Sequence, residues 1–379
     1  LIMKNYHKVS VNEPSLFGNE KKYLIKCLNQ GFVSSFGPMV KKFEKRFAKK
    51  VNRKFAISVS NGTAAIQLAY ESLNLKKNDE VILPSFTIIS CILPVIRNKA
   101  KPILIDSDFR TWNMDVTKIE EKITSKTKAI IVPHIYGLPV DMKSVLNIAK
   151  KYNLKVLEDA AEVLGLTYKN KMCGSFGDVS TFSFYANKHI TTGEGGMIVT
   201  NDKKIAEKCR SLRNICFNTK RRFLHYDLGW NYRFTNLQSA LGLAQLEQLN
   251  KFVIKKRLIG KIYNKSLSKI KFFDTPLEKL KYAKNIYWVY GLVLKKNSPI
   301  NLKNLMKKLK KSGVETRNFF WPLHQQPILK KMGFFKNTKL PVSEYLARNG
   351  LYLPSGLSLT LSQQKFVIKQ IKKIFSKYL

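Results

Sequence analysis

Ser180-Thr181-Phe182-Ser183-Phe184-Tyr185-Ala186-Asn187-Lys188 is followed by His189-Ile190-Thr191-Thr192-Gly193-Glu194-Gly195-Gly196. The stretch reads as a short apolar strand ending in one lysine, then a glycine-rich turn into a second strand, Met197-Ile198-Val199-Thr200. Most lysines of the chain fall where solvent is expected, whereas Lys188 closes an aromatic run and precedes glycines that allow close backbone approach. An amine walled by apolar groups loses proton affinity and can serve as a neutral nucleophile. Taken alone, Lys188 also fits a plain strand-end lysine in a basic protein.

The neighbouring sequence has the same grain. Between Phe55 and Thr200, short apolar runs recur at Phe55–Val59, Val81–Leu83, Pro102–Ile105, Ala129–Pro133, Lys155–Glu158, Val179–Ser183 and Gly196–Thr200. Helical stretches lie between many of them: Thr63–Leu73, Ile89–Arg97, Val116–Ile123 and Met142–Tyr152. Nearly all-apolar strands alternating with helices predict an α/β protein with a mainly parallel seven-stranded sheet covered on both faces. Ligands of such sheets sit at the carboxyl ends of the strands. That rule puts Ser60-Asn61-Gly62-Thr63, Asp159 and Lys188 on one rim. Two helices, Asn19–Gln30 with Gly31 as its stop and Met39–Val51, precede the sheet. Lys203–Leu212 and a long helix near Thr235–Lys265, capped by Thr235 or Asn236, follow it. Past Ile270 the pattern changes to Tyr287–Leu294, Leu302–Lys311, Glu344–Leu351 and Ser362–Lys377, a smaller α+β unit. The expected division is 1–255 for a large domain and 256–379 for a small one.

Three further signals bear on Lys188. Ser60-Asn61-Gly62-Thr63-Ala64-Ala65 joins a strand to a helix and would present free N–H groups to a phosphate. An ordinary turn with Thr63 as the helix cap explains the same residues. Asp159 stands just past a buried strand, where a carboxylate can pair with a pyridinium nitrogen; the plainer reading is a cap for the next segment. Ser183, five residues before Lys188, offers a hydroxyl to the same phosphate. Ring, phosphate and amine anchors in this order describe pyridoxal 5′-phosphate.

Bulk properties narrow the alternatives. The 379 residues carry 68 Lys+Arg against 25 Asp+Glu, a net charge of +43. The lysines are spread along the chain, and no nucleic-acid-binding motif accompanies them, so a nucleic-acid partner is not expected. The charge favours anionic small substrates. Five cysteines and five histidines form no ligand cluster, so no metal is expected, and the cysteines read as reduced thiols of a cytoplasmic protein. The run near Ile88–Ile96 is interrupted by Ser90 and Pro94 and too short to span a bilayer. No signal-peptide pattern opens the chain, and Leu1-Ile2-Met3 is assigned no role.

Several motifs together resemble the DegT/StrS family of sugar aminotransferases, pyridoxal-phosphate enzymes of fold type I. They are Val59–Ala65, Asp79–Ser85, His134-Ile135-Tyr136-Gly137, Glu158-Asp159-Ala160-Ala161-Glu162, Gly174–Asp178, Phe182–Lys188, Thr191–Gly196 and Asn231–Asn236. Within the family the chain most resembles the GDP-perosamine synthase branch, through Glu13-Pro14-Ser15, the Asp-Ala-Ala-Glu form of the cofactor motif, Glu315-Thr316-Arg317 and Phe320-Trp321-Pro322-Leu323-His324. The resemblance implies transamination from L-glutamate, released as 2-oxoglutarate, to a nucleotide-linked 4-keto-6-deoxy sugar. Lys188 would bond the cofactor and shuttle a proton; Asp159 would hold the ring nitrogen. Gly62, Thr63 and Ser183 would hold phosphate, with Glu162 and Asn187 beside the cofactor. Asn231 would reach the phosphate of a partner subunit in a homodimer. His324, Arg317, His134 and Tyr136 would line the sugar pocket. Relatives often place an aromatic residue over the cofactor ring where this chain has Ile88, with Phe86 as the alternative cover. They also often carry Gln or His where Leu138 follows Gly137. The deoxygenating branch of the fold replaces the lysine by histidine; here His189 follows Lys188 instead, which favours amination. UDP- or dTDP-sugars, a 3-dehydratase and a non-catalytic regulatory protein are the alternatives.

Overall fold

The computed structural model describes residues 8–218 and 220–378. All seven expected strands form one sheet: β1 (Phe55–Val59), β2 (Glu80–Pro84), β3 (Lys101–Ile105), β4 (Thr127–Pro133), β5 (Lys155–Asp159), β6 (Val179–Ser183) and β7 (Gly196–Thr200). Their order is β1-β7-β6-β5-β4-β2-β3. β7 alone runs against its neighbours β1 and β6; the other pairs are parallel. Successive residues of a strand point to opposite faces. Ile82, Ile130, Val156 and Phe182 therefore enter one core cluster, while Val81, Leu83, Ile131 and Leu157 enter the other. Because both faces are covered, no polar alternation survives in the sequence.

Three expected helices differ, each for a local reason. The stretch Ile89–Arg97 divides into a 3-10 turn, Ile89–Cys91, and a short helix, Leu93–Arg97, with Pro94 in its first turn. Val116–Ile123 holds two single 3-10 turns, the first capped by the Asp115 carboxylate. The helix expected over Glu344–Leu351 spans Pro341–Asn349, and Leu351 lies in a strand. Gly31 adopts φ +70° just beyond Glu20–Asn29, as a helix stop requires.

The long helix Asn236–Leu267 starts from a capping box in which Thr235 and Gln238 satisfy each other's backbone N–H. It runs unbroken through 255 and 256, the expected division. Beyond it, β8 (Phe273–Asp274), β9 (Tyr290–Leu294), β10 (Arg317–Asn318) and β11 (Gly350–Leu353) form an antiparallel sheet in the order β8-β9-β11-β10. Lys256, on the long helix, is 1% exposed and donates to the carbonyls of Trp288 and Ser355. The helix is thereby pinned to the chain entering β9 and leaving β11. No described helix is long and apolar enough to cross a membrane.

Candidate active site

One cavity of about 640 Å³ opens at the carboxyl ends of β1, β4, β5 and β6. Its floor includes the turn into the helix Gly62–Ser72. Asn61, not Thr63, caps that helix, its side chain accepting from the Ala64 N–H at 2.8 Å. Thr63 Oγ1 instead meets Ser90 Oγ at 2.9 Å. The N–H groups of Gly62 and Thr63 lack partners within the described protein, as the first turn of a helix leaves them. A Cβ on Gly62 would come within 2.8 Å of Ser183 Cβ. One on Gly196 would come within 2.4 Å of the Asn61 carbonyl oxygen. Glycine thus lets the turn, the end of β6 and the start of β7 pack backbone against backbone, which puts the Ser183 hydroxyl beside the free N–H groups.

The central strand supplies two carboxyl groups of opposite use. Glu158 faces inward and accepts from Gly174 N–H (2.6 Å), Phe176 N–H (2.9 Å) and Ser180 Oγ (2.8 Å), with His134 Nε2 at 3.0 Å. Arg53 ties down the same turn by donating to the carbonyls of Gly174 (3.1 Å), Gly177 (3.0 Å) and Phe176. Together they fix the chain that enters β6. His134, Glu158 and Cys173 lie close enough to ligate one ion, but the carboxylate is already filled by these donors. Asp159, the next residue, turns to the cavity. Its Oδ1 accepts from Ala161 N–H and Thr181 Oγ1, each at 3.2 Å, while Oδ2 meets only the Cys91 thiol at 3.7 Å. The capping role and the free carboxylate oxygen thus coexist. Burial raises the Asp159 pKa; Lys188 and the two hydrogen bonds to Oδ1 oppose that.

Lys188 reaches the same cavity with its side chain 13% exposed, and its Nζ lies 3.6 Å from Glu162 Oε1. Burial lowers its pKa, and Glu162 and Asp159 pull it back up. Glu162 Oε2 accepts from the Tyr136 N–H at 2.8 Å, a turn in which Tyr136 adopts φ +55°. Burial likewise raises the Glu162 pKa, with Lys188 as its chief opponent. An acid whose pKa is higher folded than unfolded binds more protons when folded. Its favourable contribution is complete below the ordinary carboxylate range and is lost as pH rises through the folded value. Glu162→Gln removes this titration. The melting temperature of the cofactor-free variant, relative to wild type, is expected to rise between about pH 4.5 and pH 8. A flat difference across that range refutes the assignment.

Gly62, Thr63, Asp159, Glu162, Ser183, Asn187 and Lys188 all line this cavity, as do Ile88 and His134. Asn187 carries a buried Oδ1 without a donor. His134 comes with both ring nitrogens engaged, Nε2 by Glu158 and Nδ1 by the Val140 N–H. Phe86 is absent from the lining; it is fully buried among Tyr136, Phe319 and Phe320. Ile88, 43% exposed, holds the wall instead. Tyr136 is buried, its hydroxyl accepting from the Phe320 N–H. His324 is 2% exposed and bridges Ser85 Oγ (2.7 Å) and Glu344 Oε1 (3.1 Å), tying the end of β2 to the small unit. Arg317 lies exposed on β10 beside Glu315 at 3.7 Å. Asn231 is exposed and outside this cavity. Sequence reasoning missed Trp288 and Tyr352 and gave Phe320 only as part of a motif; all three close the wall from the small unit.

These donors fit pyridoxal phosphate: two free N–H groups and a hydroxyl for a phosphate, a carboxylate with one weakly met oxygen for a protonated ring nitrogen, and an amine of lowered basicity. Known proteins agree. The chain is 40% identical over 369 residues to the GDP-perosamine synthase of Escherichia coli O157:H7, covering 97% of this chain and 99% of that protein. It is 38% identical to the GDP-perosamine synthase of Caulobacter vibrioides, covering 98% and 100%. The solved structure of Helicobacter pylori PseC, an aminotransferase involved in pseudoaminic acid biosynthesis, superposes with a TM-score of 0.93 at 26% identity, covering 98% of this chain and all of that one. The profile of the DegT/DnrJ/EryC1/StrS aminotransferase family matches residues 14–372. The chain belongs to the DegT/DnrJ/EryC1/StrS aminotransferase family.

Proposed function

We propose that this enzyme moves an amino group from L-glutamate to the 4-keto carbon of a nucleotide-linked 4-keto-6-deoxy sugar. GDP-4-keto-6-deoxy-mannose, giving GDP-perosamine for a surface polysaccharide, is the substrate that the relatives' names favour. The observation that carries the reading is the convergence of Lys188, Asp159 and the Gly62-Thr63 turn on one cavity. Pyridoxal phosphate, when bound, supplies a carbonyl carbon for amine exchange and a ring that withdraws electrons. Gly62, Thr63 and Ser183 would hold its phosphate, and Asp159 would keep its ring nitrogen protonated. Lys188 Nζ, released from the cofactor, would take a proton from the donor carbon and return it to the acceptor side. Glu162 would set the charge around that amine. Because the lysine is present, we read amination and not deoxygenation.

Purified enzyme supplied with glutamate and GDP-, UDP- or dTDP-4-keto-6-deoxy sugars tests this. A 4-amino sugar formed fastest from the GDP substrate is expected; a 3-deoxy product, or no glutamate consumption with any of the three, defeats the proposal. We also infer a homodimer with shared sites. Asn231 lies outside its own cavity, in a segment that exposes Phe223, Tyr226 and Leu228. Asn231→Ala and Lys188→Ala subunits, weak or inactive alone, are expected to regain up to about a quarter of wild-type activity when co-refolded, because half the dimers then hold one intact site. No gain over the separate variants would exclude shared sites.

A further inference from the structure

Trp288 stands between the small unit and the reactive amine. Its ring lies under Lys188 Nζ, 3.8 Å from ring centre to nitrogen. Its indole Nε1–H donates to the carbonyl of Asn187 at 2.9 Å, one peptide before the lysine. The same carbonyl accepts from Asn12 Nδ2 at 3.2 Å. Trp288 is itself fixed: it is 4% exposed, its carbonyl accepts from Lys256 Nζ at 2.8 Å, and its ring stacks on Tyr136 at 5.9 Å and 30°. One side chain therefore grips both the backbone and the amine of Lys188.

We propose that Trp288 is the positioning residue for Lys188: its indole N–H sets the backbone that aims the amine, and its ring face holds the ammonium form in a water-poor cavity. The inference rests on the reading of Lys188 as the proton-carrying amine. An amine that must alternate between nucleophile and acid is served by partial, not complete, loss of basicity. The groups facing it are Glu162 and Asp159, which favour the ammonium, the thiol of Cys91, and His189 and Lys256 behind it. The aromatic face adds to the carboxylates against the desolvation that opposes them.

The test uses cofactor-free protein. Competitive labelling with acetic anhydride across a pH series, read by mass spectrometry on the peptide holding Lys188, gives the pKa of that amine. Trp288→Leu is expected to lower it by about half a unit to one and a half units, the size of a desolvated cation–π contact. Trp288→Phe keeps a smaller, weaker aromatic face and loses the N–H, so the pKa falls by less than in Trp288→Leu. The glutamate half-reaction of the reloaded Phe variant then slows several-fold with the KM for glutamate unchanged. If the leucine variant fails to fold, the phenylalanine variant decides alone through that split. A Leu variant with unchanged or raised Lys188 pKa, or a Phe variant with wild-type half-reaction rate, overturns the proposal. Labelling involves neither cofactor nor sugar, so a wrong substrate assignment leaves this result readable.

Discussion

Lys188→Ala is expected to reduce turnover by roughly 10³-fold or more and to abolish the visible absorbance that the wild type acquires with pyridoxal phosphate. Both losses come from one atom, because no other described lysine lines the cavity: buried Lys256 spends its Nζ on two carbonyls. The fold is expected to survive. Lys188 is 13% exposed, and its replacement removes a buried amine but also takes from the Glu162 carboxyl its partner at 3.6 Å. The cofactor-free variant should therefore stay folded but melt below the wild type, and it should still bind the cofactor reversibly through the Gly62-Thr63 turn. Activity within tenfold of wild type in a folded Lys188→Ala protein would remove Lys188 from the chemistry. Loss of activity together with loss of folding would not be credited to it, so the melting curve is part of the measurement.

The sheet was readable because its strands are short, apolar and punctuated. Phe55–Val59, Val179–Ser183 and Gly196–Thr200 appear with the expected bounds; Ser60-Asn61-Gly62 and Asn201-Asp202 close the first and third, whereas apolar Phe184 follows the second. The direction of β7 was not readable, because a strand's sequence carries its burial and not its polarity. The near half of the site was readable for the same reason as the strands: Asp159 and Ser183 end strands and Gly62 follows one, and the carboxyl-end rule brings these together; Lys188, read as the end of its strand, lies instead in the turn five residues beyond Ser183. The far half was not. Trp288, Phe320 and Tyr352 belong to the small unit, and no local pattern says that they fold over a rim built more than a hundred residues earlier. His324 shows the limit of motif transfer. Here its ring is spent on Ser85 and Glu344, a join between the two halves of the chain. Nor could glycine spacing reveal what the glycines approach; Gly196 meets the Asn61 carbonyl, the protein's own backbone.

Asp159→Asn is the sharper probe of the cavity's electrostatics, with a glutamate half-reaction slowed about 10² to 10³-fold and cofactor still retained. The substitution keeps shape and local bonding. An amide oxygen at the Oδ1 position still accepts from Ala161 N–H and Thr181 Oγ1. What changes is the other position, where a carboxylate oxygen met only by the Cys91 thiol becomes an NH₂ donor. A donor facing a ring nitrogen favours the unprotonated nitrogen, and an unprotonated ring withdraws electrons poorly from the carbon that must lose its proton. The carboxylate is suited to its task because Lys188 and the two Oδ1 bonds resist the protonation that burial would otherwise impose. Thr181→Val, which removes one of those bonds and keeps the charge, is accordingly expected to slow the same step by a smaller factor, on the order of tenfold. The visible absorbance with pyridoxal phosphate, kept by Asp159→Asn and lost by Lys188→Ala, separates the two variants, and wild-type stability separates Asp159→Asn from a packing defect. An Asp159→Asn enzyme that exchanges amino groups within tenfold of the wild-type rate would show that ring protonation does not depend on Asp159.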